Sequence, residues 1–128
     1  MRYLLDTHTA FWYFEGSTTL SKKAKAVIDD DKNEILVSIV SAWEIAIKHS
    51  LHREETTLCS VKEFFDEVES SGLKLIGLEP QHVRAIEVLP YHHRDPFDRL
   101  LIATAIAEDI VFVSADANVP AYDVKWLW

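Results

Sequence analysis

A chain of 128 residues with 48% hydrophobic and 27% charged residues has the composition of an ordinary globular domain, long enough to bury a core of its own. One cysteine, Cys59, excludes an intrachain disulfide, and no stretch approaches the roughly 20 apolar residues of a membrane span. A net charge of −8 argues against binding nucleic acid by bulk electrostatics, but not against an enzyme that gathers carboxylates and neutralises them with a divalent ion. The expectation is a single domain over residues 1–128 in a reducing, cytoplasmic setting. The apolar start, Tyr3-Leu4-Leu5, is too short for the core of a signal peptide.

Tyr3-Leu4-Leu5 ends abruptly at Asp6-Thr7. A short run apolar on both faces suits a central strand of a covered parallel sheet. Asp6 or Thr7 can cap a helix from Thr9 to about Glu15, stopped near Gly16. Its Phe11-Trp12-Tyr13-Phe14 cannot all face one sheet. Phe11 and Phe14 are expected inward, Trp12 and Tyr13 outward. Ser21 caps a helix to about Ile28 with Ala24, Val27 and Ile28 inward, and Asp29-Asp30-Asp31 reads as a solvated turn. Glu34–Ser38 is the second strand.

A helix from about Ile39 to Leu51 follows, with Val40, Trp43 and Ile47 as its apolar stripe. Glu44 stands beside the stripe, four residues before Lys48. Beyond a polar linker, Ser60-Val61-Lys62-Glu63 is a capping box opening a helix with Val61, Phe64, Phe65 and Val68 inward, ended by Gly72. Leu73–Leu78 is a third strand, and Pro80 opens a short helix that Pro90 terminates. Asp95 at the N-cap, Pro96 at the first helical position and Asp98 at N3 specify the start of a helix to about Glu108. Ile110–Val113 is a fourth strand ending in Ser114-Ala115-Asp116, and Val124-Lys125-Trp126 is a fifth at an edge.

Alternating strands and helices predict a three-layer α/β/α sandwich on a mostly parallel sheet of four to five strands. Ligands of such sheets gather beyond the carboxyl ends of the strands. Asp6 follows the first strand, Asp116 the fourth, and Glu44 lies about one and a half turns into the helix after the second. A crossover helix runs antiparallel to its strands, so Asp98 in its first turn returns to the same edge. All four acids can share one pocket. Unneutralised, they would repel one another, and an all-oxygen set without thiolates favours Mg²⁺ or Mn²⁺. Such an ion lowers the pKa of water and stabilises in-line displacement at a phosphodiester. A purely structural ion site is the plainer alternative. Positive charge is grouped at Lys22, Lys23 and Lys25, at Lys48, His49, His52 and Arg53, and at His92, His93, Arg94 and Arg99.

Four ordered stretches, Leu4-Leu5-Asp6-Thr7-His8, Ser41–Lys48, Asp95–Ala103 and Val113-Ser114-Ala115-Asp116, together resemble a PIN-domain protein of the VapC toxin type over essentially the whole chain. The resemblance implies a metal-dependent endoribonuclease, the toxin of a type II toxin–antitoxin pair, commonly a homodimer. Asp6, Glu44, Asp98 and Asp116 fall on that family's acidic quartet, with Ser114 at a small hydroxyl position. In this reading Asp6, Glu44 and Asp98 bind a first metal and Asp116 holds a second metal or orients water. Asp95 is an N-cap before it is a supporting group, Lys48 and Arg99 are candidates for phosphate contact, and His92 and His93 are loop residues rather than ligands. Trp12 and Tyr13 are the expected antitoxin contacts. Two alternatives stand beside this one: a PIN-like RNA-processing or RNA-binding module without a toxin role, and an Mg²⁺-binding receiver domain. The receiver needs paired acids after the first strand and a lysine after a late one, and this chain has neither.

Overall fold

The computed structural model describes residues 1–51 and 59–128, which leaves His52 and Arg53 of the second basic group, and most of the expected linker, outside the described residues. Five strands, β1 (Arg2–Leu5), β2 (Glu34–Ser38), β3 (Lys74–Ile76), β4 (Val111–Val113) and β5 (Trp126–Leu127), form one sheet in the order β3-β2-β1-β4-β5. Every pairing is parallel. Six α-helices connect them: α1 (Thr7–Phe14), α2 (Lys22–Asp29), α3 (Ile39–Ser50), α4 (Val61–Ser70), α5 (Pro80–Glu87) and α6 (Pro96–Glu108). Both short edge strands are where the sequence puts them. β3 is trimmed at each end of the expected Leu73–Leu78, and β5 starts two residues later and ends one later than the expected Val124-Lys125-Trp126.

The period of two along each strand makes the sandwich. Tyr3, Leu5, Ile35, Val37 and Val113 face a core shared with Ala10, Ala24, Ile28, Phe64 and Val68. Leu4, Leu36 and Phe112 face the other way, against Leu101, Ile102 and Ala105 of α6, with Val40, Leu89, Val119 and Tyr122. Burying both faces of three central strands in this way stabilises each large aliphatic side chain by about 1.5–3 kcal/mol relative to exposure.

Two inward assignments fail for the same reason. The buried arc of α3 runs through Val40, Ser41, Ala42, Glu44 and Ile45, and Trp43 points away from it, 54% exposed, with its ring edge-on to Phe97 at 5.1 Å. In α4 the core takes Phe64 and Val68, one turn apart, while Phe65 is rotated by about 100° toward solvent. The aromatic helix also departs from expectation. Trp12, Tyr13 and Phe14 all pack against the core: Trp12 meets Trp128 at 5.8 Å, and the Tyr13 hydroxyl donates to Asp29 at 2.8 Å. Phe11 instead lines a surface groove with Phe14, Glu63 and Glu67.

β1 sits at the centre, and the chain leaves it toward β2 on one side and β4 on the other. That reversal opens a crevice beyond the carboxyl ends of β1 and β4.

Candidate active site

Each acid reaches the crevice by a different local device. Asp6 ends β1 and occupies the N-cap of α1 with φ −60° and ψ 153°, yet its side chain makes no capping hydrogen bond. The carboxylate is turned into the crevice, where Ser114 Oγ donates to Oδ2 at 2.8 Å. Glu44 is buried in the second turn of α3. The Thr7 and Ser41 hydroxyls, 2.8 Å apart, tie the start of α1 to the turn of α3 that precedes it. Asp98 stands at N3 of α6, a helix whose cap is made by Asp95: Oδ1 accepts from the backbone N–H groups of Phe97 at 2.9 Å and Asp98 at 3.2 Å. Asp116 follows β4, its N–H donating to Ser114 Oγ at 3.1 Å and its Oδ1 accepting from both nitrogens of Asn118.

These side chains line one cavity of about 340 Å³ together with His8, Trp12, Lys48 and Asp95. The whole predicted quartet is therefore in one place. Its electrostatics are those of a crowded acid cluster. Burial, opposed by the Ser114 hydrogen bond and His8, pushes the Asp6 carboxyl up from its ordinary range. Burial and the neighbouring Asp6, Asp95, Glu44 and Asp116 push Asp98 up to about 8. Asp6 Oδ1 and Glu44 Oε1 are buried without any hydrogen-bond partner. An orphaned carboxylate oxygen costs several kcal/mol in a dry environment, and a cation bound at such an oxygen removes that cost. The residues present fit a divalent ion held by oxygen ligands.

Of the supporting residues, Ser114 bridges Asp6 and the backbone of Asp116. Lys48 pairs with Glu44 Oε2 at 2.6 Å, so this i,i+4 pair is half inside the site rather than a solvated surface pair. Arg99 overturns expectation. It is buried, donates Nη1 to the Pro90 carbonyl at 2.7 Å and Nη2 to the Leu89 carbonyl at 3.1 Å, and lies over the Tyr91 ring at 3.8 Å. One residue along a helix is a rotation of about 100°, so Asp98 faces the crevice and Arg99 the α5–α6 connection. It cannot reach a phosphate there. His93, expected as a loop residue rather than a ligand, has its Nε2 3.7 Å from Asp98 Oδ2 and 3.7 Å from Asp116 Oδ2. His92 keeps to the loop, its ring edge-on to Tyr122. His93, Tyr122 and the Thr7–Ser41 pair had no local signal, since each acts through a contact at least 29 residues away in sequence.

A parallel α/β/α sandwich with four carboxylates lining one cavity at its switch point defines the class: an α/β fold with an acidic site beyond the carboxyl ends of its strands. The PIN domain family model matches residues 3–125, and the chain belongs to the PIN domain family. It is similar to Ribonuclease VapC22 of Mycobacterium tuberculosis, with 27% identity over 120 residues, 93% of this chain and 90% of that protein. Its fold matches VapBC2 from Rickettsia felis, solved bound to a DNA fragment from their promoter, with a TM-score of 0.70 and 15% identity over 99% of this chain and 98% of that one. VapBC-1 from nontypeable Haemophilus influenzae matches with a TM-score of 0.66 and 13% identity, covering 99% of this chain and 97% of that one. Among the described residues no helix is long and apolar enough to cross a membrane.

Proposed function

We propose that this chain is a metal-dependent endoribonuclease, the toxin of a type II toxin–antitoxin pair, hydrolysing RNA phosphodiester bonds at the Asp6–Glu44–Asp98–Asp116 site. The observation that carries the reading is the convergence of four carboxylates from four chain segments around two buried, unpartnered oxygens. The likeness to Ribonuclease VapC22 supports RNA as substrate, and the fold shared with VapBC structures supports an antitoxin partner. Asp6, Glu44 and Asp98 would hold Mg²⁺ or Mn²⁺, with Asp116 beside Asp98 to hold a second ion or orient water. When bound, the ion supplies a Lewis acid that neutralises the acids and favours attack of water on phosphorus.

The remaining groups prepare that chemistry. Ser114 fixes the rotamer of Asp6 by donating to Oδ2, leaving Oδ1 free for the ion. Lys48 spends one N–H on Glu44 and carries two more at the cavity wall for a phosphate oxygen. With a net charge of −8, the protein gains RNA affinity from these local cations rather than from a basic surface.

The antitoxin is assigned to the α1 side of the site. Trp12 lines the acid cavity, Tyr13 is its neighbour on α1, and the adjoining groove offers an apolar floor of Phe11 and Phe14 ringed by Glu15, Glu63, Asp66 and Glu67. A basic amphipathic segment complements that surface. We assign a homodimer as the working unit, for which the exposed Leu75 of edge strand β3 and the neighbouring Leu78 are available apolar contacts.

The test is cleavage of RNA by the purified chain with Mg²⁺, with Mn²⁺, after chelation, and with added antitoxin. Asp6→Asn keeps the shape of the side chain and removes its charge, and should lower cleavage by at least a hundredfold. A folded Asp6→Asn protein, freed of contaminating nuclease, that cleaves like the wild type refutes the assignment.

A further inference from the structure

Tyr122 and Arg99 clamp the loop that carries His93, and the clamp bears on which ring nitrogen of His93 carries the proton. The buried Tyr122 hydroxyl receives N–H groups from three directions: the backbone of His92 at 3.1 Å, the backbone of His93 at 3.3 Å and Arg99 Nη1 at 3.3 Å. A hydroxyl oxygen has two lone pairs and one hydrogen. With its acceptor capacity filled, it has one productive direction for its own proton, and the shortest contact, 2.8 Å, is to His93 Nδ1. Nδ1 therefore accepts. A neutral imidazole that accepts at Nδ1 carries its hydrogen on Nε2. Nε2 is buried, has no hydrogen-bond partner, and lies between Asp98 Oδ2 and Asp116 Oδ2 at 3.7 Å from each.

We infer that His93 is a positioning residue of the acid site, held by Tyr122 in the Nε2–H tautomer so that it donates to Asp98 and Asp116 rather than ligating the metal. The competing assignment has the same geometry: His93, Asp98 and Asp116 bring ligand atoms within 4.8 Å of one another, close enough to share an ion. The tautomer separates the two, because a nitrogen that carries hydrogen has no lone pair for a metal. A side-chain adjustment of about 0.7 Å brings either carboxylate to hydrogen-bond distance, the kind of tightening that accompanies loading of a site. Donation from Nε2 to the two Oδ2 atoms leaves Asp98 Oδ1 for the cavity, while Asp116 Oδ1 is held by Asn118. The inference rests on the metal-dependent site proposed above and adds an orienting layer to it.

Ring ¹⁵N NMR of the full chain, recorded metal-free and then with Mg²⁺, reads the tautomer directly. The expected spectrum shows Nε2 of pyrrole type and Nδ1 of pyridine type in both states, with Tyr122→Phe losing the preference. A pyrrole-type Nδ1 in the metal-free wild type, or loss of the Nε2 hydrogen when Mg²⁺ is added, overturns the inference. Mn²⁺ binding followed by electron paramagnetic resonance supplies a second readout. His93→Gln, whose amide can still donate from a comparable position, should stay within about threefold of the wild type, and His93→Ala should bind about tenfold more weakly. Equal affinity in a folded His93→Ala protein overturns the inference as well. Neither readout uses RNA. A reversed tautomer in a protein that cleaves RNA defeats the role of His93 alone, whereas a correct tautomer in a protein that cleaves no RNA defeats the ribonuclease reading alone.

Discussion

Replacing Asp98 by Asn should stabilise the metal-free protein while removing its activity. The carboxyl is raised from 3.8 to about 8, chiefly by burial and then by four neighbouring acids. The folded state holds that proton more tightly than the unfolded chain does. The stability it contributes is therefore fully present below about pH 4 and is lost as pH rises through about 8. At about 1.4 kcal/mol per unit the shift bounds the penalty near 5–6 kcal/mol. The side chain is 22% exposed, and solvent screening brings a realistic figure to about 2–3 kcal/mol. Asn also gives up the interaction of an N3 carboxylate with the helix terminus, worth about 0.5–1 kcal/mol, but not the cap, which belongs to Asp95. The net gain is about 1–2 kcal/mol, or roughly 4–8 °C in Tm for a chain of this size. Circular dichroism melts in chelator at about pH 8.5 and about pH 5 measure it, with the gain expected at the higher pH. Millimolar Mg²⁺ or Mn²⁺ should then raise the wild-type Tm more than that of Asp98→Asn. An Asn variant less stable than the wild type at both pH values refutes the reasoning, because the carboxylate would then be a helix stabiliser and not a strained member of an acid cluster.

Two neighbours should behave oppositely. Asp95→Ala removes an acceptor for two backbone N–H groups and should cost about 1 kcal/mol, whereas Asp95→Asn retains most of the cap; chemical denaturation of the pair checks this. Arg99→Lys should destabilise by about 2–4 kcal/mol, because an ammonium cannot reproduce a fork that serves the Pro90 and Leu89 carbonyls while lying over Tyr91. An unchanged urea midpoint for Arg99→Lys would return Arg99 to the list of candidate phosphate ligands.

What the sequence disclosed was local or followed from a rule of topology. Asp95-Pro96 marks the start of α6 because a cap and a φ-restricted residue act within one turn, and the Ser60–Glu63 capping box forms as its spacing requires. The quartet was legible because the carboxyl ends of parallel strands meet on one edge, whatever the details of packing. Side-chain direction was harder. Trp43 satisfies a helical stripe on paper, but α3 turns a different arc inward because it must bury Ser41 and Glu44 beside the site. Arg99, one residue from a cavity-lining acid, looks like part of the same cluster until the rotation along α6 is taken into account. The sequence marks His93 only as a loop residue, and its place beside Asp98 and Asp116 was not legible there. Its position depends on Tyr122, 29 residues further on, and on a loop held from behind by Arg99. A histidine beside another histidine in a polar loop gives no hint of that.

The topology that gathers the acids has a consequence for when during folding the site comes into being. The site draws on residues from position 6 to position 116, and the Asp6 contact with Ser114 requires β1 and β4 to be paired already. No short stretch of the chain holds two of the four carboxylates in register. Closing such distant loops comes late in assembly, since their entropy must be spent before the contacts form. An unfinished or misfolded chain therefore lacks the assembled acid cluster. The cluster appears only with the finished sheet, which is also the state in which the α1 surface beside it exists.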